Sequence, residues 1–273
     1  TFKILTDSTA DLPESWTQEH DVQVLGLTIQ LDGQTYETVG PDKLTSEQLL
    51  AKMESGSKPT TSQINVGQFE DVFRQYAQEG TAVLYVAFAS ALSGTYQSAV
   101  MAREMVLEDY PEAIITILDT KAASMGEGLL VMKAVEARAA GQSLEQTAAL
   151  LQSLVPRVQT YFLVDDLNHL MRGGRISKAA ALMGSLVNIK PIIAVTADGS
   201  LDSVAKVRGK KKAQAEVVRM TLETISDPRV VVAYAGEKEV AETVKEQLLA
   251  SGQVTEVLIL PLGPVISTHT GPG

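Results

Sequence analysis

The chain has 273 residues, of which 45% are hydrophobic and 21% are charged, a composition typical of a globular protein with a substantial core. Its net charge of -10 gives it no general attraction to nucleic acid or to an anionic membrane surface. Because it has no cysteine, it can form neither disulfides nor thiolate metal sites. We identify no signal peptide and no apolar run long enough to span a membrane, so we expect a cytoplasmic protein without integral membrane association.

Strand-like and helix-like segments alternate through the first half. Asp32-Gly33 is a hairpin-turn signal, and Thr45-Ser46-Glu47-Gln48 is typical of a capping box that opens a helix. Residues 82–88 are almost wholly apolar, which indicates a strand buried on both faces of a parallel sheet. The alternation predicts an open α/β sheet, with strands at 2–6, 22–31, 82–88 and 113–118 and helices at 66–78, 94–108, 128–139 and 144–154.

Pro156 interrupts this alternation, and we place a domain boundary there. The prediction is an α/β domain over residues 1–155 and a smaller α+β domain over residues 156–273. Ala197-Asp198-Gly199-Ser200 is typical of a hairpin turn in the second domain. Predicted strands there are 159–164, 189–196, 201–207, 229–234 and 254–259, and predicted helices are 176–183, 211–225 and 237–251.

The signatures of common catalytic sites are missing from the sequence. It has no phosphate-binding G-x-x-x-x-G-K-[ST], no H-E-x-x-H and no G-x-S-x-G, and Gly126-Glu127-Gly128 lacks the third glycine of a dinucleotide fingerprint. Its histidines, His20, His169 and His269, are too scattered to predict a metal site. We therefore expect neither a metal nor a cofactor.

Polar loops follow several apolar strands, where ligands bind in open α/β sheets. Ser93-Gly94 lies between the 82–88 strand and a helix, and hydroxyls with free N–H groups at a helix N-terminus form an anion site. The alternative for any one loop is more common, because Ser, Thr and Asp before a helix usually cap it. The five loops are residues 6–11, 58–63, 90–97, 119–124 and 267–273.

Basic residues concentrate in the second half of this acidic chain. Lys206 and Arg208 precede the lysines at 210–212, and Arg172-Gly173-Gly174-Arg175 forms a second basic turn. Each segment could be an ordinary solvated turn or helix end. Together they could dock an acidic or phosphorylated partner.

Six segments, in order along the whole chain, resemble the DegV family. They are residues 6–12 (TDSTADL), 59–63 (PTTSQ), 92–99 (LSGTYQSA), 118–121 (LDTK), 172–177 (RGGRIS) and 268–273 (THTGPG). The resemblance implies a two-domain fold with a fatty acid bound between the domains. Some members serve as the lipid-carrying subunit of bacterial fatty acid kinase, in which another subunit supplies ATP, metal and phosphoryl transfer. This chain would then be non-catalytic, with a long-chain fatty acid as its ligand.

The resemblance also assigns roles to individual residues. Thr61 and Ser93 would hold the acyl carboxylate, and His269 would complete the network. The neighbouring carboxylate-site candidates are Gly94, Thr60, Ser62 and Thr268, and the candidates for a kinase-facing surface are Arg172, Arg175, Lys206 and Arg208. We expect neutral donors to satisfy the carboxylate. The tail would need an apolar tunnel, for which residues 179–183 are a candidate lining or, equally, ordinary core.

Two other classes of function remain open from the sequence. An acyl-ester hydrolase would use Ser93 as nucleophile and His269 as base, although no nucleophile elbow supports it. A regulatory module that responds to lipid is the third possibility.

Overall fold

The structure, a computed structural model, describes residues 1–177 and 188–273. The strands of the first half are β1 (Phe2–Asp7), β2 (Val22–Leu25), β3 (Thr28–Leu31), β4 (Gln34–Glu37), β5 (Thr60–Ser62), β6 (Ala82–Ala87) and β7 (Ile115–Asp119). Its helices are α1 (Glu14–Glu19), α2 (Ser46–Glu54), α3 (Val66–Glu79), α4 (Thr95–Asp109), α5 (Met125–Ala139) and α6 (Leu144–Leu154).

A parallel sheet in the order β2-β1-β6-β7 forms the centre of the first half. Alternate residues of each strand pack on opposite faces, as the pleat requires. Leu5 and Tyr85 face a cluster with the aromatic side chains of α3, whereas Ile4 and Leu84 face α5 and α6. The predicted α/β sheet is therefore present, and its central strand is buried on both faces.

The predicted strand at 22–31 is two strands. The chain leaves the parallel sheet at Gly26, where Val39 packs so closely that a Cβ would lie 2.9 Å from its Cγ2 atom. Beyond this break β3 joins an antiparallel sheet in the order β4-β3-β5. The turn at Asp32-Gly33 is confirmed as a two-residue hairpin, since Leu31 pairs with Gln34 and both turn residues have positive φ.

Two predicted loops are regular structure. Residues 60–62 of the 58–63 loop form β5, which pairs with β3 through Ile29 and Thr61. The terminal loop predicted at 267–273 begins inside a helix over Pro264–Thr270. A short polar strand at a sheet edge has no apolar alternation to reveal it, because its partner strand supplies the core-facing residues.

The second half contains two further sheets. Its strands are β8 (Tyr161–Phe162), β9 (Ile189–Val195), β10 (Leu201–Arg208), β11 (Arg229–Tyr234) and β12 (Glu256–Pro261), and its described helices are α7 (Asn168–Arg172), α8 (Lys210–Thr224), α9 (Lys238–Ala250) and α10 (Pro264–Thr270). Strands β8, β9 and β10 are antiparallel, and β11 pairs with β12 in parallel. One face of β11–β12 packs on α8 and α9.

Several expectations for the second half need adjustment. The predicted strand at 159–164 has only two residues, and α7 was not predicted. The helix predicted at 176–183 and the candidate tunnel lining at 179–183 fall outside the described residues. Pro156 lies in a 3-10 turn, Val155–Arg157, directly after α6, and the domain boundary predicted there remains a prediction.

Candidate functional site

A cavity of about 1090 Å³ lies between α5 on one side and β11, β12 and α8 on the other. This volume is at the upper end of the range for small-molecule sites, roughly 300–1,000 Å³. Leu129 and Leu258 are 36% and 42% exposed, and both line this cavity. Their exposure therefore belongs to an internal space that an apolar ligand would cover. Other apolar residues in its wall include Leu130, Met132, Val158, Phe162, Val231 and Val244.

Helix α5 shows how long the cavity is. Met125, Leu129, Met132, Lys133 and Glu136 all line it, and each lies three or four residues from another member of the set, which places them on one helix face. From the first of these residues to the last, the helix rises about 16 Å. The cavity is thus an elongated channel that starts near the carboxyl edge of the parallel sheet, where α5 begins.

The polar end of this channel is formed by Thr61, Ser62, Ser93, Arg175 and His269. Thr61 Oγ1 lies 2.8 Å from His269 Nε2, which joins β5 to α10 across 208 residues of sequence. The structure therefore brings together three of the residues to which the resemblance assigned the carboxylate: Thr61, Ser93 and His269.

His269 is held as a neutral imidazole. Burial, assisted by the nearby charge of Arg175, lowers its pKa to about 4 from an ordinary 6.5. The ring packs directly against Gly173, where a Cβ would collide with Nδ1. At neutral pH His269 is therefore available for hydrogen bonding with Thr61 and contributes no charge of its own.

Ser93 carries out the capping role that was the alternative in the sequence. Its Oγ accepts the backbone N–H of Thr95 at 3.1 Å and donates to Thr95 Oγ1 at 2.9 Å. It nevertheless lines the channel. Gly94 is exposed and packs against the side-chain amide of Gln63, so the close neighbour of its backbone is a protein side chain. Among the described contacts Ser93 and His269 are not paired, and the nucleophile–base pair of a hydrolase is not assembled.

Arg175 occupies a different place from the partner-facing surface expected for it. Its side chain is half-buried, and Nε donates to the carbonyl of Leu92 at 3.2 Å while Nη1 donates to the carbonyl of Gly173. It lines the polar end of the channel beside His269. The site thus contains a fixed cation, contrary to the expectation that neutral donors alone would surround a carboxylate.

Five of the remaining candidates lie in two other places. Thr60 and Thr268 line a smaller neighbouring cavity of about 130 Å³, together with Arg172. Lys206 and Arg208 occupy exposed positions of β10 and make no ion pair with a described residue. Ser62 lines the channel, and its Oγ donates to Gln30 Oε1 at 3.0 Å.

A buried carboxyl network surrounds one of the predicted ligand loops, residues 6–11. Asp7 accepts the backbone N–H groups of Thr9 and Phe88, both at 3.1 Å, and the hydroxyl of Tyr85 at 2.5 Å. Burial, with the charge of Asp7, raises the pKa of Glu127 well above its ordinary range, and Glu127 Oε1 accepts the hydroxyl of Thr9 at 2.7 Å. Loop 6–11 therefore holds α5 on the sheet, and the sequence showed only the polar residues without their buried partners.

Comparison with known proteins identifies the family to which this architecture belongs. Residues 1–273 match the family model described as "Uncharacterised protein, DegV family". A DegV domain-containing protein of Streptococcus pyogenes serotype M1 is 53% identical over 272 residues, which cover 100% of this chain and 95% of that protein. The chain belongs to the DegV family.

Solved structures with a similar fold agree with this assignment. A DegV family protein from Thermus thermophilus, described by its fatty acid binding, has a TM-score of 0.88 at 35% identity. The match covers 100% of this chain and 96% of the Thermus thermophilus chain. A stearic acid-binding protein from Eubacterium ventriosum has a TM-score of 0.90 at 29% identity, with coverages of 100% and 95%. The predicted DegV-like α/β fold is therefore confirmed.

Two features are absent from the described part of this DegV chain. None of its helices is both long and apolar enough to cross a membrane. Outside residues 178–187, no three His, Asp or Glu side chains are grouped as a metal site would need.

Proposed function

We propose that this DegV protein binds a long-chain fatty acid in the large channel and presents its carboxylate to a separate kinase subunit. The observation that carries the proposal is one elongated apolar channel that ends at Thr61, Ser93, Arg175 and His269. Each buried methylene contributes about 0.8 kcal/mol, so a chain of about 16 carbons gains on the order of 12 kcal/mol before the costs of ordering. Relatives of the same fold bind fatty acids, including stearic acid.

The polar end supplies complementary donors for a carboxylate. When the Thr61 hydroxyl does not donate to the imidazole of His269, it can donate to the carboxylate of the ligand. Ser93 can likewise turn its hydroxyl proton away from Thr95 and toward the ligand. The guanidinium of Arg175 balances the negative charge of the carboxylate and so offsets the free-energy cost of partly desolvating it.

The kinase-facing part of the proposal depends on exposed cations. Lys206 and Arg208 project from β10 without ion-pair partners among the described residues, so they are free to meet an acidic surface. In this proposal the partner performs the chemistry and this chain performs none. Because the partner needs ATP, we place the complex in the cytoplasm.

Native mass spectrometry of the purified protein tests lipid binding. We expect a co-purifying mass in the fatty-acid range, or uptake of added palmitate with a one-to-one stoichiometry. A protein that neither carries nor takes up a fatty acid would overturn the proposal. Methyl palmitate serves as the control ligand, since it keeps the tail and loses the charge that Arg175 is proposed to balance.

Affinity capture of the kinase subunit tests presentation separately. We expect the double variant Lys206→Glu and Arg208→Glu to lose capture while palmitate binding stays unchanged. Lys238→Glu on α9, also exposed, is the matched charge-reversal control. Equal capture by both variants would remove β10 from the docking surface.

A further inference from the structure

The carboxyl of Asp11 lies between the two helices that meet at the polar end of the channel. Its Oδ2 accepts the hydroxyl of Ser124 at 2.7 Å, and Ser124 directly precedes α5. Its Oδ1 is buried against Gly263, the residue before α10, so closely that a Cβ there would collide with it. One side chain therefore touches the start of the helix that lines the channel and the start of the helix that carries His269.

The surroundings of Asp11 disfavour its negative charge. Among the described residues, none gives Oδ1 a well-aligned hydrogen bond, and none forms an ion pair with the carboxyl. Burial is the main cause that raises its pKa to about 7, and the charge of Asp7 adds to the rise, whereas the Ser124 hydroxyl and the Gly263 N–H oppose it. This carboxyl therefore gains and loses its proton near neutral pH, unlike an ordinary aspartic acid.

The titratable groups on the elements around Asp11 supply no cation to compensate it. Asp7 lies on the same loop, and Glu127 lies in the first turn of α5. His269 is the only titratable group of α10, and its lowered pKa of about 4 keeps it neutral. The first cation along α5 is Lys133, which lies about 12 Å from the start of the helix and pairs with another residue of α5. An added negative charge nearby is therefore resisted most easily by protonation of Asp11.

Asp11 is connected with the ligand space through both of its neighbours. Ser124 lines the channel, and its hydroxyl is the one that donates to Asp11. His269 lies six residues beyond Gly263, which is about 9 Å along α10. A fatty-acid carboxylate beside His269 would thus be on the order of 10 Å from Asp11. At an effective dielectric constant of about 20, two like charges at this separation weaken an equilibrium constant by about 10-fold.

We propose that Asp11 couples fatty-acid binding to the uptake of one proton, so that the channel holds an acyl carboxylate more tightly when Asp11 is neutral. This inference rests on the proposed function, because it requires a carboxylate at the polar end. As the anion enters, repulsion between the two negative charges favours transfer of a proton from solvent to a carboxylate oxygen of Asp11. By linkage, the affinity for the fatty acid falls as the pH rises through the range in which Asp11 ionises.

The affinity for palmitate at two pH values tests the coupling. Fluorescence displacement should show binding about 5- to 10-fold weaker at pH 8.5 than at pH 6.0. Isothermal titration calorimetry at pH 7.5, in two buffers of different ionisation enthalpy, should show uptake of about half a proton. In Asp11→Asn the side chain keeps its shape and is neutral at every pH, so the affinity should change less than twofold and the proton uptake should vanish. Asp71→Asn, exposed on α3, is the matched control and should behave like the unaltered protein.

The outcomes separate this inference from the function on which it rests. If palmitate binds equally well at both pH values and without proton uptake, the coupling is wrong while fatty-acid binding stands. If Asp11→Asn keeps the pH dependence of the unaltered protein, the proton binds elsewhere and the assignment to Asp11 is overturned. Should Asp11→Asn fail to fold, Ser124→Ala decides: it removes a donor that favours the ionised carboxyl, so the loss of affinity should begin at higher pH. Palmitate that binds at neither pH would overturn the proposed function itself.

Discussion

His269 shows how burial sets the chemistry of a single side chain. Its ring is enclosed by α7 and β5, and the cation of Arg175 lies nearby, so the charged imidazolium is disfavoured and the pKa falls to about 4. In the unfolded chain the same imidazole titrates near 6.5. The folded state therefore binds fewer protons than the unfolded state between these two values.

The first prediction concerns this proton difference. A lowered histidine pKa stabilises the fold above pH 6.5, and that contribution is lost as the pH falls toward 4. For fatty-acid-free protein, we expect the stability difference between the unaltered chain and His269→Gln to shrink by about 2.5 kcal/mol from pH 7.5 to pH 4.5. Urea unfolding at both pH values measures it.

The comparison with His269→Gln removes the other titrating groups from the result. Asp11 acts in the opposite direction, because burial raises its pKa to about 7, and it contributes equally to both proteins. His20→Gln, at the end of α1 and away from the channel, is the control. A difference that did not change with pH would show that His269 is not the protonation-sensitive group.

The second prediction concerns Thr61. Thr61→Val keeps the shape of the side chain and removes the hydroxyl that contacts His269 at 2.8 Å. We expect palmitate affinity to fall by about 10- to 100-fold, the value of one hydrogen bond to a charged group. Thr35→Val, exposed on β4 of the same sheet, should bind palmitate like the unaltered protein. Fluorescence displacement provides the dissociation constants, and equal affinities would exclude Thr61 as a carboxylate ligand.

At the scale of elements, the glycines of α5 have a packing role. A Cβ at Gly128 would lie 2.8 Å from the carbonyl oxygen of Ala10 and 2.9 Å from Met125 Sδ. Gly126 similarly faces Thr160, at 3.0 Å. Gly128 therefore lets α5 approach the first loop closely, and Gly126 lets it approach Thr160, so the partial dinucleotide fingerprint in the sequence marks helix packing.

The third prediction compares two glycines in helices. Gly128→Ala should destabilise the protein by about 1–3 kcal/mol, because the methyl group overpacks the contact with the backbone of Ala10. Gly67→Ala in α3 meets only Asn65 Oδ1 at an ordinary 3.4 Å, and it should stabilise by up to about 1 kcal/mol through helix propensity. Chemical denaturation measures both. Changes of the same sign would show that helix propensity, and not the approach of α5, decides the effect.

At the scale of the whole molecule, the channel exists because two halves of the chain enclose it. Helix α5 packs on the parallel sheet of the first half and forms one wall of the channel, and β11, β12 and α8 form the opposite wall. Lys133 and Glu136, at the far end of α5, lie near the ion pair of Asp227 and Arg229. The hydrogen bond from Arg229 is the main cause that lowers the pKa of Asp227 to about 2, and the charge of Lys133 is the smallest. The channel thus runs from a polar end that contains one cation, Arg175, to a rim with charged side chains of both signs.

The fourth prediction uses this long axis. Met132 lines the channel about 10 Å along α5 from Met125, so Met132→Trp should block its distal part. We expect palmitate affinity to fall by about 100-fold, equivalent to about four unburied methylenes, while octanoate affinity changes little. Leu249→Trp on α9, which is exposed and outside the lining, is the control.

The length dependence decides the fourth prediction. Equal losses for octanoate and palmitate would place the tail elsewhere. Thermal unfolding gives a second measurement, because a ligand at 100 times its dissociation constant stabilises the folded state by about 2.7 kcal/mol. That stabilisation should be smaller for palmitate with Met132→Trp than with the control.

Local patterns predicted a large part of the fold. The apolar run before Phe88, the capping box at Thr45 and the Asp32-Gly33 turn are each encoded by neighbouring residues, and all three appear in the structure. The family motifs added the order of the polar segments. Edge strand β5 and helix α10 were missed, since their polar and small residues have no amphipathic period.

By itself, the sequence determined the α/β fold, the absence of cysteine chemistry and the membership of the DegV family. Only the tertiary structure decided which polar residues meet. Thr61 contacts His269 across 208 residues of sequence, and Arg175 lines the channel beside them. Asp7, in contrast, forms its hydrogen bonds within a buried network. The physical reason is that helices and turns are stabilised by neighbours in sequence, whereas a site is made by long-range packing that a local pattern does not contain.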